Sequence, residues 1–199
     1  MTAITTPETL FDPTVVRVCE ALNEIGIQTH LVAEFTDNAK TFLENIRIVN
    51  GALHLTPRCP VSNVLHEGGH LAIIPRRYRA QANDDLDVLT KFMLDDLDQY
   101  ADEGPDSPIY RAVIQCSDKE ATAWAWAFGK HLGVPEEEII LDEQYPDENG
   151  TPTGAEIRFC LAAKAYAGIN GLAHAGFCST NRFGRLPVYP NLAFWTQEL

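Results

Sequence analysis

Apolar residues along the chain fall into segments of two periods, and each segment predicts an element. Asp12-Pro13 reads as a cap followed by a first-turn proline. The helix it opens carries Val15, Val16, Cys19, Leu22 and Ile25 on one side, and Gly26 ends it. Ile27 to Val32 is short and rich in β-branched residues, which predicts a strand. Residues 37–45 predict a second, short helix. Asn50-Gly51 then stands between two apolar runs, the strongest short hairpin signal, so a β-hairpin is expected at about 46–55. A helix follows from Pro57 or Pro60 to Ile74, where Pro75 stops it. Residues 83–103 predict an acidic amphipathic helix whose apolar face is Leu86, Leu89, Phe92, Met93, Leu97 and Tyr100.

Gly104-Pro105 and Ser107-Pro108 mark a loop. A helix over Asp118–Leu132 is closed by Gly133. The polar stretch 142–153 predicts an exposed loop, and 154–167 a further helix. The Gly-, Pro- and aromatic-rich tail from Gly168 to Leu199 follows neither period. This order predicts an α+β fold, mostly helical, with a small antiparallel sheet beside the 57–74 helix. One domain over 1–199 is expected, with a core at about 46–135 and the 154–199 part packed on it.

Composition narrows the function. The 199 residues can bury a sizeable core, and 45% hydrophobic content is ordinary for a globular chain. A net charge of −13 argues against non-specific nucleic-acid binding and against an anionic membrane surface. No apolar run approaches the roughly 20 residues that span a bilayer. The start MTAITTPETLFDP lacks the basic and apolar parts of a signal peptide. Five widely spaced cysteines without a C-x-x-C pair fit reduced thiols, so a cytoplasmic location is expected.

The chemistry concentrates in His66-Glu67-Gly68-Gly69-His70. Four residues apart on a helix, two imidazoles share one face and can ligate one Zn2+. Glu67 then lies beside the metal, placed to take a proton from water. Chance yields H-E-x-x-H in about one chain in a hundred of this composition, so the motif is specific. Two adjacent helical glycines cost about 1 kcal/mol each relative to alanine, which predicts close approach of another backbone or a substrate.

A catalytic site needs a third protein ligand and an open position. Glu120, in the helix Glu120-Ala121-Thr122-Ala123-Trp124-Ala125-Trp126, is the first candidate, with Glu103, Asp118 and His174 in reserve. A second reading competes for Glu120: Ser117-Asp118-Lys119-Glu120 also fits a capping box. His174, in a glycine-rich stretch, is a candidate accessory group for the metal or an oxyanion. Tyr110 and Tyr166 are candidate hydrogen-bond donors. Trp124 and Trp126 read as core, and Arg76-Arg77-Tyr78-Arg79 as a solvated basic loop.

The hairpin, VLHEGGHLAIIP at 64–75 and EATAWAWAFGKHLGVP at 120–135 together resemble the gluzincin metallopeptidases, especially the ImmA/IrrE group. The resemblance covers about half the chain. It implies a zincin-like domain with His66, His70 and Glu120 as zinc ligands and Glu67 as general base, acting on a peptide or protein substrate. The chain departs from the group in Gly68, in the long acidic insertion between the two helices, and in lacking a visible DNA-binding module. A non-catalytic metal-binding regulatory module that keeps the zincin fold is the rival expectation. A zinc hydrolase of non-peptide amides would share the same site.

Overall fold

In the computed structural model, residues 10–35, 43–98 and 104–199 are described. The elements are α1 (Pro13–Glu24), β1 (Thr29–Leu31), β2 (Ile46–Val49), β3 (Ala52–Leu55), α2 (Val61–Ile73), α3 (Arg76–Arg79), α4 (Leu86–Asp98), α5 (Pro108–Val113), α6 (Asp118–His131), α7 (Glu136–Ile139), α8 (Gly154–Ala162) and α9 (Ala167–His174). The fold is α+β, as the hydrophobic pattern predicts. Most of the expected short helix at 37–45, the Glu103 reserve ligand and Tyr100 of the acidic helix lie outside the described residues.

The α1 start follows its sequence signal: Asp12 accepts from the Thr14 N–H at 2.7 Å, with Pro13 in the first turn. The hairpin also forms as expected. Asn50 and Gly51 take φ of 49° and 78°, the positive values a type I′ turn demands. Ile48 pairs with Leu53 and Ile46 with Leu55 in antiparallel register. The sheet is not purely antiparallel, however. Its order is β1-β3-β2, and β1 runs parallel to β3. Of the two outer edges of the hairpin, the chain leaving α1 reaches that of β3, and runs along it in the same direction.

At the centre lies α2, every residue of which is buried. Helix α1 packs on it through Leu22, and α6 crosses it closely. A Cβ on Gly69 would stand 2.5 Å from the Ala121 carbonyl oxygen. The glycine thus permits the close backbone approach that the sequence led us to expect. Trp124 and Trp126 are buried, as expected. Trp124 stacks on Phe128 at 4.7 Å and donates to the Trp195 carbonyl at 2.8 Å.

Three expectations are corrected. The predicted 154–167 helix is broken after Ala162. Lys164 adopts φ 59° and a second helix begins at Ala167, although neither glycine nor proline marks the break. The 76–79 run is a helical turn, not a solvated loop. The Arg79 guanidinium is half-buried and donates to the carbonyls of Leu71 (2.8 Å), Ile74 (3.2 Å) and Gln197 (2.9 Å). A cation there satisfies carbonyls at the α2 C-terminus, where helix ends favour positive charge. The 142–153 loop is largely exposed, but two of its residues turn inward. Gln144 donates to Ser62 Oγ (3.1 Å) and Asn63 Oδ1 (3.2 Å), and Tyr145 follows it.

Candidate metal centre

The two histidines leave α2 one turn apart and converge. Their Nε2 atoms are 3.2 Å apart, and both imidazoles are buried. Asp118, the first residue of α6, brings Oδ1 to 3.1 Å from His70 Nε2 and 3.7 Å from His66 Nε2. Among the described residues this is the cluster of His, Cys, Asp and Glu able to hold a metal ion. The geometry can be tested against zinc. With Zn–N of about 2.0–2.1 Å and tetrahedral angles, ligand atoms stand about 3.3–3.4 Å apart. Two edges lie just under that value and one just over it, so the residues fit the ion. Hydrogen bonds from His66 and His70 hold the Asp118 carboxyl well below the usual carboxylate range. It is therefore ionised, as a ligand must be.

The far side of His66 is also held. Its Nδ1 lies 3.1 Å from the Tyr145 hydroxyl and 3.5 Å from Thr122 Oγ1, and these two hydroxyls are 3.2 Å apart. Burial pushes the Tyr145 phenol up to about 12, so it stays protonated near neutrality. Hydroxyls on Nδ1 fix the ring and leave Nε2 facing the cluster, an arrangement that suits a ligating histidine.

Glu67 is 7% exposed and lines a cleft of about 620 Å³ together with His70 and Asp118. Among the described residues its carboxylate makes no hydrogen bond or ion pair. A buried carboxylate without a protein partner, facing a cleft beside two histidines, suits a group that handles a proton from water or substrate.

Glu120 is placed differently from the sequence expectation. It is buried, but it accepts from the Ser117 hydroxyl and abuts Gly171 of α9. Ser117 in turn accepts from the Lys119 N–H at 3.3 Å. This is close to the capping reading, with the serine hydroxyl in place of its backbone N–H. The acid beside the histidines is Asp118, a reserve in the sequence reading. His174 is exposed and lies 3.3 Å from Gln115 Nε2 through its Nδ1, outside the cluster. Tyr110 sits on α5. Tyr166 precedes α9, and burial raises its phenol.

Sequence reasoning missed Thr122 and Tyr145. Thr122 lies four residues after Asp118, on the same helical face, and that spacing could have found it. Tyr145 has no such signal, since it reaches His66 from a polar loop. All five cysteines are free, and among the described residues no helix is long and apolar enough to cross a membrane. No known protein family, curated protein or solved structure matches the chain.

Proposed function

We propose that the chain is a zinc-dependent hydrolase of peptide bonds with a zincin-like site. The observation that carries this reading is the convergence of His66, His70 and Asp118 on one point beside the Glu67 carboxylate, which has no partner among the described residues. His66, His70 and Asp118 would hold the ion, and the cleft leaves one side of the cluster open to water and substrate. Bound there, Zn2+ supplies Lewis-acid chemistry, acidifying water and polarising a carbonyl oxygen. Glu67 takes the proton of the attacking water and returns it to the leaving amine. Tyr145 and Thr122 hold the His66 ring through Nδ1. A closed, non-catalytic metal site would need a fourth protein ligand. His174, the candidate for that part, bonds Gln115 instead.

The test is metal content and cleavage. Wild type should carry about one zinc per chain. His66→Ala, His70→Ala and Asp118→Ala should lose it, whereas Glu120→Ala should keep it. Glu67→Gln should keep zinc and lose hydrolysis of any peptide the wild type cleaves. Wild-type rates from Glu67→Gln, or a wild type that takes up no metal from zinc-supplemented buffer, would sink the proposal.

A further inference from the structure

The cleft beside the metal cluster is charged in one sense. Among the described residues its lining holds five acidic side chains, Glu67, Asp84, Asp85, Asp87 and Asp118, and no Lys or Arg. Some of this charge has a counterpart. Asp84 accepts from Arg47 Nε at 2.9 Å and from the Ile48 N–H at 2.8 Å, so its carboxylate is engaged along the edge of β2. A divalent ion in the histidine cluster would offset Glu67 and Asp118. Asp85 and Asp87 are left over. Both are exposed at the start of α4. The only bond either makes among the described residues is from the Val88 N–H to Asp85 Oδ1, at 3.3 Å. A ligand is called for independently by Glu67, a buried carboxylate that lines the same cleft and has no partner among the described residues. The cleft thus brings together the reacting groups, from α2 and α6, and two carboxylates at the start of α4 that have no cation partner among the described residues. Leu86 and Thr90 also line the cleft, and they offer the contact surface a side-chain stem needs.

We infer that the substrate of this site is a cationic peptide, with a Lys or Arg side chain near the scissile bond held by Asp85 and Asp87. The inference rests on the hydrolase reading for the word substrate, but the recognition itself is separable from catalysis. Low-dielectric walls focus the field of like charges in a cleft, which raises the local concentration of an oppositely charged ligand. Acidic peptides would be repelled, so the same pair gives selectivity in both directions.

The experiment uses the full chain, zinc-loaded, with Glu67→Gln to stop turnover. Fluorescent peptide pools of equal length, one Lys/Arg-containing, one neutral and one Asp/Glu-containing, are titrated by anisotropy. The basic pool should bind about tenfold more tightly than the neutral pool, and added salt should shrink the difference. Adding Asp85→Asn and Asp87→Asn should abolish most of the preference. Asparagine still caps a helix, so α4 should persist, and the circular dichroism spectrum checks this. Removing two charges elsewhere, with Glu143→Gln and Glu148→Gln, should leave the preference intact. Equal affinity for basic and neutral pools, or a preference that survives in the Asp85/Asp87 variant, overturns the inference. The hydrolase reading fails separately: a zinc-loaded wild type that binds the basic pool through Asp85 and Asp87 but cleaves none of it is a cationic-peptide binder, not a peptidase.

Discussion

Placing a methyl group at Gly69 tests the frame on which the His66, His70 and Asp118 cluster depends. The new Cβ would lie 2.5 Å from the Ala121 carbonyl oxygen, whereas real Cβ contacts essentially never fall below 3.0 Å. The α6 backbone must therefore withdraw from α2 by at least about half an ångström. Neither side of that contact is a flexible side chain, so the overpacking cost belongs near the upper end of its range, about 3 kcal/mol. Alanine's better helix propensity returns about 1 kcal/mol, which leaves a net loss of about 2 kcal/mol. For a chain of this length, that lowers Tm by about 4–8 °C. The neighbouring glycine is the control. A Cβ on Gly68 would meet Leu22 Cδ2 at 3.0 Å, the far end of a side chain rather than backbone, so a few tenths of an ångström of give suffices. Gly68→Ala should shift Tm by no more than about 2 °C in either direction. The assay is thermal unfolding of the zinc-free proteins, followed by zinc titration against a chromophoric chelator. Because Asp118 rides on α6 and His70 follows Gly69, parting the helices should also open the 3.1 Å gap between them. Zinc affinity should then fall about tenfold in Gly69→Ala and stay near wild type in Gly68→Ala. If Gly69→Ala proved as stable as wild type, or if Gly68→Ala were the more damaging, the packing argument would be refuted.

Other perturbations probe the supporting shell and the core. Tyr145→Phe removes the hydroxyl 3.1 Å from His66 Nδ1 and should weaken zinc binding about tenfold in chelator competition, with little change in the zinc-free Tm. An unchanged zinc affinity would show that Thr122 alone holds the ring. Burial pushes the Cys116 thiol up to about 12, and the Cys19 and Cys178 thiols up to about 11. The thiolate is the reactive form, so these groups should resist iodoacetamide at mildly alkaline pH and react in denaturant, as read by intact mass. Rapid alkylation of Cys116, which is half-buried on the cleft lining, would contradict its raised thiol. Tyr189→Phe loses a 2.9 Å bond to the Ala123 carbonyl in the core and should cost about 1 kcal/mol in denaturant unfolding.

Elements whose boundaries are written in local chemistry were legible from the sequence. Asp12-Pro13 starts α1 where the cap signal stands, Asn50-Gly51 makes the hairpin turn, and Pro75 closes the motif helix just after it. What escaped depends on tertiary contact. The Lys164 break between α8 and α9 has no glycine or proline to announce it. The parallel pairing of β1 depends on which sheet edge the hairpin leaves open, a matter of topology rather than pattern. Arg79 reads as a surface cation until the α2 C-terminus and the Gln197 carbonyl come to meet it.

The same distinction explains which acid joins the two histidines. His66 and His70 are fixed relative to each other by helical spacing alone, so their convergence was legible. The acid comes from another helix, and its identity depends on how α6 is rotated against α2. Asp118 and Glu120 are two residues apart, about 200° around the axis, so a single rotation decides between them. A helix with one apolar stripe would have announced that rotation, but α6 is buried from Glu120 to Gly129 and shows no such stripe. The Gly69 contact supplies the missing phase. It sets Ala121 against α2, and with Ala121 come Asp118 one turn earlier and Thr122 one step later, both at the histidines. Glu120 then faces away, toward Ser117 and Gly171, on the side where Trp124 meets Trp195. Gly69, one of the pair that first stood out as a cost to the helix, is therefore what sets which carboxylate reaches the histidines.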